Sequence, residues 1–355
     1  MVSLSAEPGP RRADYSLSEE QESLRDAFAA FFERECTGER VREAEPTGFD
    51  PHFWKRLNDM RMVAMGVPES AGGDGAGLVE LSLLAEEFGR RLAPAPLIEA
   101  VVAARLLAGA ATDVPEWVAG AVSGDRLVTL ALHPGTEPQL LPAGAVADAV
   151  IGVVDDELVL TALDGHPAAV ANQGYAPIAW WDPGTAGGDR VVIDSGPEAM
   201  VSFDRARREW KLLMAGALVG MARATLDIGV EHARSRVAFG APIGAFQAVS
   251  HALSDVAMAV DTARRLVHKA AWYAEYEPDT GGQLTPMAYL YAEQSAMRAA
   301  TVGVHVLGGV GFTVESDQQL YFRRVKGWTL VAGDPKATLA EIAEASFGPA
   351  GATVN

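Results

Sequence analysis

From Ser16 onward, apolar and polar residues recur with the period of a helix. "SLSEEQESLRDAFAAFFERE" puts Leu24, Phe28, Phe31 and Phe32 on one face, behind Ser18, a hydroxyl placed to cap the first turn with Glu and Gln following it. "DPHFWKRLNDMRM" repeats the formula with Asp50 as cap and Pro51 at the first helical position, and "GLVELSLLAEEFGRRLAPAP" continues it until Gly89 and the prolines. From about Gly124 the period shortens. "RLVTLAL", "AVIGVVDDELVLTAL" and "DRVVID" are β-branched runs parted by Gly, Pro and Asp, which predicts antiparallel strands and hairpins. After Phe203 the helical period returns, and Leu253, Val256, Val260, Ala263, Val267 and Ala270 keep the spacing of a helix-bundle seam. A further helix is predicted from Thr285 and Pro286 to Gly308, and a last one opens with Asp334 and Pro335. "LLMAGALVGMA" (212–222), bracketed by Lys211 and Arg223, is too short to span a bilayer and reads as a helix buried on every side.

This order predicts an α+β fold, mainly α: a disordered arm at 1–14, an N-terminal helical domain at 15–122, a small β domain at 123–204, a C-terminal four-helix bundle at 205–346 and a flexible tail at 347–355. Composition narrows the function. With 29 basic against 47 acidic residues the net charge is -18, which excludes nucleic acid and anionic membranes as natural partners. The single cysteine, Cys36, has no partner for an internal disulfide, and the opening residues lack the apolar core of a signal peptide, so a cytoplasmic protein is expected. No metal site is expected.

Three local motifs sharpen the picture. "GVPESAGGDGAGLVELSLLAEEFGR", "RVAFGAPIGAFQ" and "VHVLGGVGFTVESDQQLYFRR" resemble, in this order, signatures of the acyl-CoA dehydrogenase family, and the resemblance extends over residues 16–346. Thr313, Glu315, Asp317 and Tyr321 further resemble the actinobacterial branch that acts on steroid side chains as coenzyme A thioesters. The resemblance implies FAD as cofactor and electron transfer flavoprotein as the usual acceptor. It also implies that Arg236, Phe239, Ile243, Gln247 and Gly309, with Gly308 shaping the turn, reach the adenosine and pyrophosphate of FAD held mainly by a neighbouring subunit. The residue types suit that task, since arginine gives charge-assisted hydrogen bonds to phosphate and glycine permits close backbone approach. His305 stands where the family commonly has Gln, and imidazole can donate to phosphate in its place. Each position also has a plain structural reading: Arg236 pairing with an acid, Phe239 plugging the bundle, and Gly308-Gly309 ending a helix.

The family's catalytic base is missing. Counted from Arg323, the position of the usual glutamate is Ala332, followed by Gly333 and Asp334; in a second branch the base falls at Trp210. Glu209 is one residue away, and one step along a helix turns a side chain by roughly 100 degrees. Asp334 precedes Pro335 and is placed to cap a helix. The flavin-lining Gly-Ser and Trp-Ile-Thr are absent too: Thr136-Glu137-Pro138 has no Gly-Ser after it, and Trp180-Trp181 suit a sheet face or domain contact. The sequence therefore points to the non-catalytic, FAD-sharing subunit of an α2β2 acyl-CoA dehydrogenase whose homologous partner supplies the base, with a bulky acyl-CoA, steroid-CoA by resemblance, as substrate. Two alternatives stand beside it: a self-sufficient dehydrogenase using Glu209, and a flavin-free scaffold subunit.

Overall fold

Ser18 and Gln21 close a reciprocal capping box, with Gln21 N–H donating to Ser18 Oγ at 3.2 Å and Ser18 N–H to Gln21 Oε1 at 3.0 Å, and α1 (Glu19–Glu35) follows. The computed structural model describes residues 15–184 and 188–348, so the expected arm at 1–14 and the tail beyond Gly348 lie outside the described residues. Helices α2 (Gly38–Glu43), α3 (Pro51–Asp59), α4 (Leu78–Arg90), α5 (Leu97–Ala108) and α6 (Pro115–Ser123) complete the N-terminal part. Asp50 caps α3 as its position predicts, accepting from the backbone of His52 and Phe53. Phe31, Phe32, Phe53 and Phe88 meet in one aromatic cluster, the buried product of the three amphipathic patterns.

The middle carries β1 (Val128–Leu130), β2 (Gln139–Leu141), β3 (Ala149–Val154), β4 (Glu157–Ala162), β5 (Ala179–Trp181) and β6 (Arg190–Ser195). Asp155 and Asp156, both left-handed at φ 52° and 62°, make the two-residue turn of the β3–β4 hairpin. The larger sheet has the order β1-β3-β4-β6, and β2 pairs with β5 separately. The expectation of purely antiparallel pairing is corrected here. β1 and β3 run parallel, Val128 beside Ala149 and Leu130 beside Ile151, because the connection between them contains β2 and is long enough to return the chain to the starting end. Trp181 fills a small second core against Gly152, whereas Trp180 is exposed.

Helix α7 (Pro197–Ser235) is the spine of the molecule. It starts before Phe203, because Pro197 takes the first turn and Ala199, Phe203 and Ala206 extend the apolar face backwards. Every residue from Leu212 to Ala222 is buried, as the apolar run predicts. By length and composition α7 could cross a membrane, yet 78% of its most apolar stretch is covered by the rest of the chain. Glycine lets α4 and α7 cross closely: a Cβ on Gly220 would collide with the carbonyl of Glu86, and one on Gly89 with that of Ala217. Helices α8 (Gln247–Tyr276), α9 (Leu284–Leu307) and α10 (Asp317–Trp328) pack with α7 as the bundle, and α11 (Pro335–Phe347) lies on α9. Phe347, expected to open the flexible tail, is the last residue of α11.

Candidate functional site

Two regions of the bundle gather the residues singled out by sequence. The first is the end where α7 and α9 finish and α8 begins. Arg236 caps α7, and a small hairpin follows, β7 (Val237–Ala238) paired with β8 (Ala241–Pro242). Phe239 and Gly240 form its tip with φ of 53° and 81°. A bulky residue at positive φ is strained, and the ring so placed is 98% exposed, touching the Phe246 ring edge-on at 6.2 Å. The plain reading of Phe239 as a bundle plug is therefore excluded. Arg236 is exposed, and its side chain has no hydrogen bond or ion pair among the described residues, so it is not the partner of a local acid either. Its backbone is fixed: its carbonyl accepts from Ile243 N–H at 2.8 Å, which orders the turn ahead of α8.

Gln247, the first residue of α8, and His305, in the last turn of α9, are exposed at the same end, while Ile243 is half-buried. Gly308 and Gly309 differ. Gly308, at φ 62° and ψ -139°, ends α9 in a conformation that requires glycine, so its structural reading is satisfied. Gly309 is not in the left-handed region, and a Cβ there would meet nothing within 4 Å, so no contact of this chain demands its small size.

The second region holds both base positions. Trp210 and Ala332 face one cavity of about 40 Å³, together with His133, Arg207, Lys211 and Glu341. A cofactor pocket usually needs roughly 300 Å³ or more, so an isoalloxazine ring does not fit. Trp210 is fully buried and its Nε1 donates to Glu99 Oε1 at 3.1 Å. Burial raises the Glu99 carboxyl above its ordinary range, opposed by that hydrogen bond. Glu341, a carboxylate beside the empty base position, is taken by two cations: Lys211 Nζ at 2.6 Å and Arg207 Nη1 at 3.1 Å. Burial lowers the Lys211 ammonium, and Glu341 opposes this. Sequence reading missed Glu99, Lys211 and Glu341. The available signal was a lone acid inside the apolar helix "PLIEAVVAARLL" and a lone lysine at the head of the longest apolar run.

Glu209 lies apart from this cavity, as its helical angle predicts. Arg105 holds it through Nε at 2.8 Å and Nη2 at 3.3 Å, on a different cleft bounded by Pro68, Leu78 and Ala274. Asp334 caps α11, accepting from Lys336 N–H at 2.9 Å. Thr136-Glu137-Pro138 is an exposed turn, closed by the side chain of Gln139 on the backbone of His133.

Comparison with known proteins agrees with this architecture. The acyl-CoA dehydrogenase N-terminal domain matches residues 18–124 and the acyl-CoA dehydrogenase C-terminal domain residues 199–347. The acyl-CoA dehydrogenase IpdE2 of Mycolicibacterium smegmatis is 29% identical over 333 residues, 91% of this chain and 97% of the relative. FadE27, an acyl-CoA dehydrogenase of Mycobacterium tuberculosis, is also 29% identical, over 93% of this chain and 97% of its own. Among solved structures, a chain of the ChsE4-ChsE5 complex from Mycobacterium tuberculosis superimposes with a TM-score of 0.84 at 28% identity, covering 95% of this chain and 100% of that one. The Tcur3481-Tcur3483 steroid ACAD, with a TM-score of 0.82 at 24% identity over 93% of this chain and 98% of that one, supports the fold alone. Two domain models, full-length relatives and the shared three-part architecture lead to one conclusion: the chain belongs to the acyl-CoA dehydrogenase family, whose members are oxidoreductases acting on CH–CH bonds.

Proposed function

We propose that this chain is the non-catalytic, FAD-sharing subunit of a heteromeric (α2β2) acyl-CoA dehydrogenase, in which a homologous subunit supplies the base and most of the flavin site. One contrast carries the reading. The cavity shared by the two positions where a base is expected measures about 40 Å³ and its carboxylate, Glu341, is paired with Lys211 and Arg207, while the end of the bundle displays a 98% exposed Phe239 and an Arg236 whose side chain has no hydrogen bond or ion pair among the described residues. FAD, when bound, accepts the hydride that leaves the β-carbon of the thioester. What this chain contributes is binding: Arg236 as a charged donor to the pyrophosphate, Phe239 and Ile243 as apolar cover for the adenosine, Gln247 and His305 as polar contacts, and Gly308-Gly309 as a backbone surface without side chains in the way.

The likeness to a chain of a two-protein complex supports a homologous partner, and the resemblance of Thr313, Glu315, Asp317 and Tyr321 to the branch acting on steroid side chains supports a bulky polycyclic acyl-CoA as substrate class. On this reading the protein works in the cytoplasm with electron transfer flavoprotein as acceptor. Loss of this chain's own acyl tunnel frees volume for the acyl group in the partner.

The test is FAD content. Purified alone, the chain is expected to be colourless; co-purified with its homologous partner, it should give one FAD per heterodimer. Arg236→Ala in the complex should weaken FAD retention by roughly ten- to hundredfold, the worth of a charge-assisted hydrogen bond. Unchanged FAD content in that variant would favour a flavin-free scaffold. A yellow lone chain that loses turnover on Glu209→Gln would overturn the proposal in favour of a self-sufficient enzyme, despite the Arg105 clamp on that carboxylate.

A further inference from the structure

Arg42, on the short helix α2, sends its guanidinium to the far side of the sequence. Nε donates to the carbonyl of Val314 at 3.2 Å and Nη2 to that of Glu315 at 3.0 Å; Nη2 also pairs with Asp317 Oδ1 at 2.7 Å, and Nη1 donates to Gly38 O at 3.1 Å within α2. Val314 and Glu315 belong to the link between the Gly308-Gly309 turn and α10. That link is exposed, with Val314 at 74%, and its own hydrogen bonds are local ones, Thr313 to Val310 and Ser316 to Thr313. From inside, the buried side chain of Gln318 holds the start of α10 to α9 through the carbonyl of Ala300 at 3.3 Å. From outside, the hold is Arg42.

Gly38 is fitted to this arrangement. A Cβ there would come within 2.9 Å of Asp317 Oδ1, so glycine leaves room for the carboxylate to reach Arg42. Two hydrogen bonds to this link and an ion pair to Asp317, the first residue of α10, all from one planar group, fix its position in a way that a lysine point charge does not reproduce.

We infer that Arg42 is a positioning residue of the lent cofactor contact: a strut from the N-terminal helices that sets where the Gly308-Gly309 turn meets the partner's FAD. It acts through the loop and touches no cofactor. The inference rests on the shared-FAD reading. The experiment uses the heteromeric complex and follows the rate at which FAD is released, by recovery of flavin fluorescence after dilution, alongside the thermal midpoint. Arg42→Met is expected to speed release about fivefold or more, the low end of typical coupling between sites, with Arg42→Lys intermediate. A merely structural role would lower the midpoint and leave release unchanged. Should Arg42→Met fail to fold, Gly38→Ala, which crowds the Asp317 carboxylate and the Arg42 Nη1 while keeping the guanidinium, is expected to speed release by a smaller factor. Unchanged release in these variants, with Arg236→Ala still losing FAD, overturns the strut alone. If Arg236→Ala also keeps its FAD, the shared-cofactor reading falls and the strut with it.

Discussion

Trp210 and Glu99 show how a single side chain changes the character of a site. The indole stands where counting along the chain expects a base, and its N–H is satisfied by a carboxyl that is itself buried. Trp210→Phe leaves Glu99 without its donor and is expected to cost about 1–3 kcal/mol; Trp210→Ala adds a cavity and should cost about 3–5 kcal/mol. Urea denaturation of the two variants measures both. Glu99 also gives the stability a pH dependence. Burial holds its folded-state value above the ordinary 4.5, so the unfolded chain releases the proton first. The stabilisation is complete below pH 4.5 and is lost as pH rises through the folded value. Glu99→Gln has no proton to lose. It should make the decline of unfolding free energy with rising pH shallower by up to about 1.4 kcal/mol per pH unit. An unchanged slope would show that Glu99 ionises normally in the fold.

At the scale of elements, the helices are held by caps and by a few buried polar ties. Asp334→Ala removes the cap of α11 and should lower stability by about 0.5–2 kcal/mol while leaving turnover of the folded complex unchanged, which separates capping from any catalytic task. Where α4 meets α8, Glu86 accepts from Arg264 Nε at 3.2 Å and His268 is half-buried close by, its Nε2 3.9 Å from Glu86 and without a hydrogen-bond partner among the described residues. Burial, with Arg264, Arg25 and Arg265 adding, pushes the His268 imidazole down to about 4 from 6.5. Between these values the unfolded chain binds a proton that the folded chain does not. Stability present above pH 6.5 is therefore lost as pH falls toward 4, by on the order of 3 kcal/mol at most. His268→Gln should flatten this acid limb, read from denaturation midpoints at pH 4.5 and 7; a limb as steep as in the parent chain would assign the acid loss to other groups.

For the whole molecule, the N-terminal helices and the bundle are joined by long-range polar contacts as well as by the α4–α7 crossing. Glu45, just after α2, accepts from Arg323 at 2.7 Å and from Arg324 at 3.2 Å, and Arg324 is only 4% exposed. Removing that one acid leaves a buried guanidinium unpaired, so Glu45→Gln should destabilise the chain by about 3–5 kcal/mol in thermal or chemical unfolding. Both ties, from Arg42 and from Glu45, reach α10 or the link before it, so the region proposed to meet a partner's cofactor is also braced from outside the bundle.

The sequence by itself determined α1, α3 and α11 with their caps at Ser18, Asp50 and Asp334, because an amphipathic period and a capping residue act within a turn or two. It also determined the buried stretch of α7, since this follows from the composition of one element. Only the tertiary structure decided what surrounds Trp210, because Trp210 and Glu99 lie 111 residues apart and meet through the packing of α5 against α7. It decided likewise that Phe239 faces solvent, since a phenylalanine in a hairpin tip has no period to orient it, and that β1 runs parallel to β3, since pairing direction depends on the route of the connection. The reach of Arg42 across 272 residues is of the same kind: a long polar side chain chooses its partner by proximity in space, which no local pattern encodes.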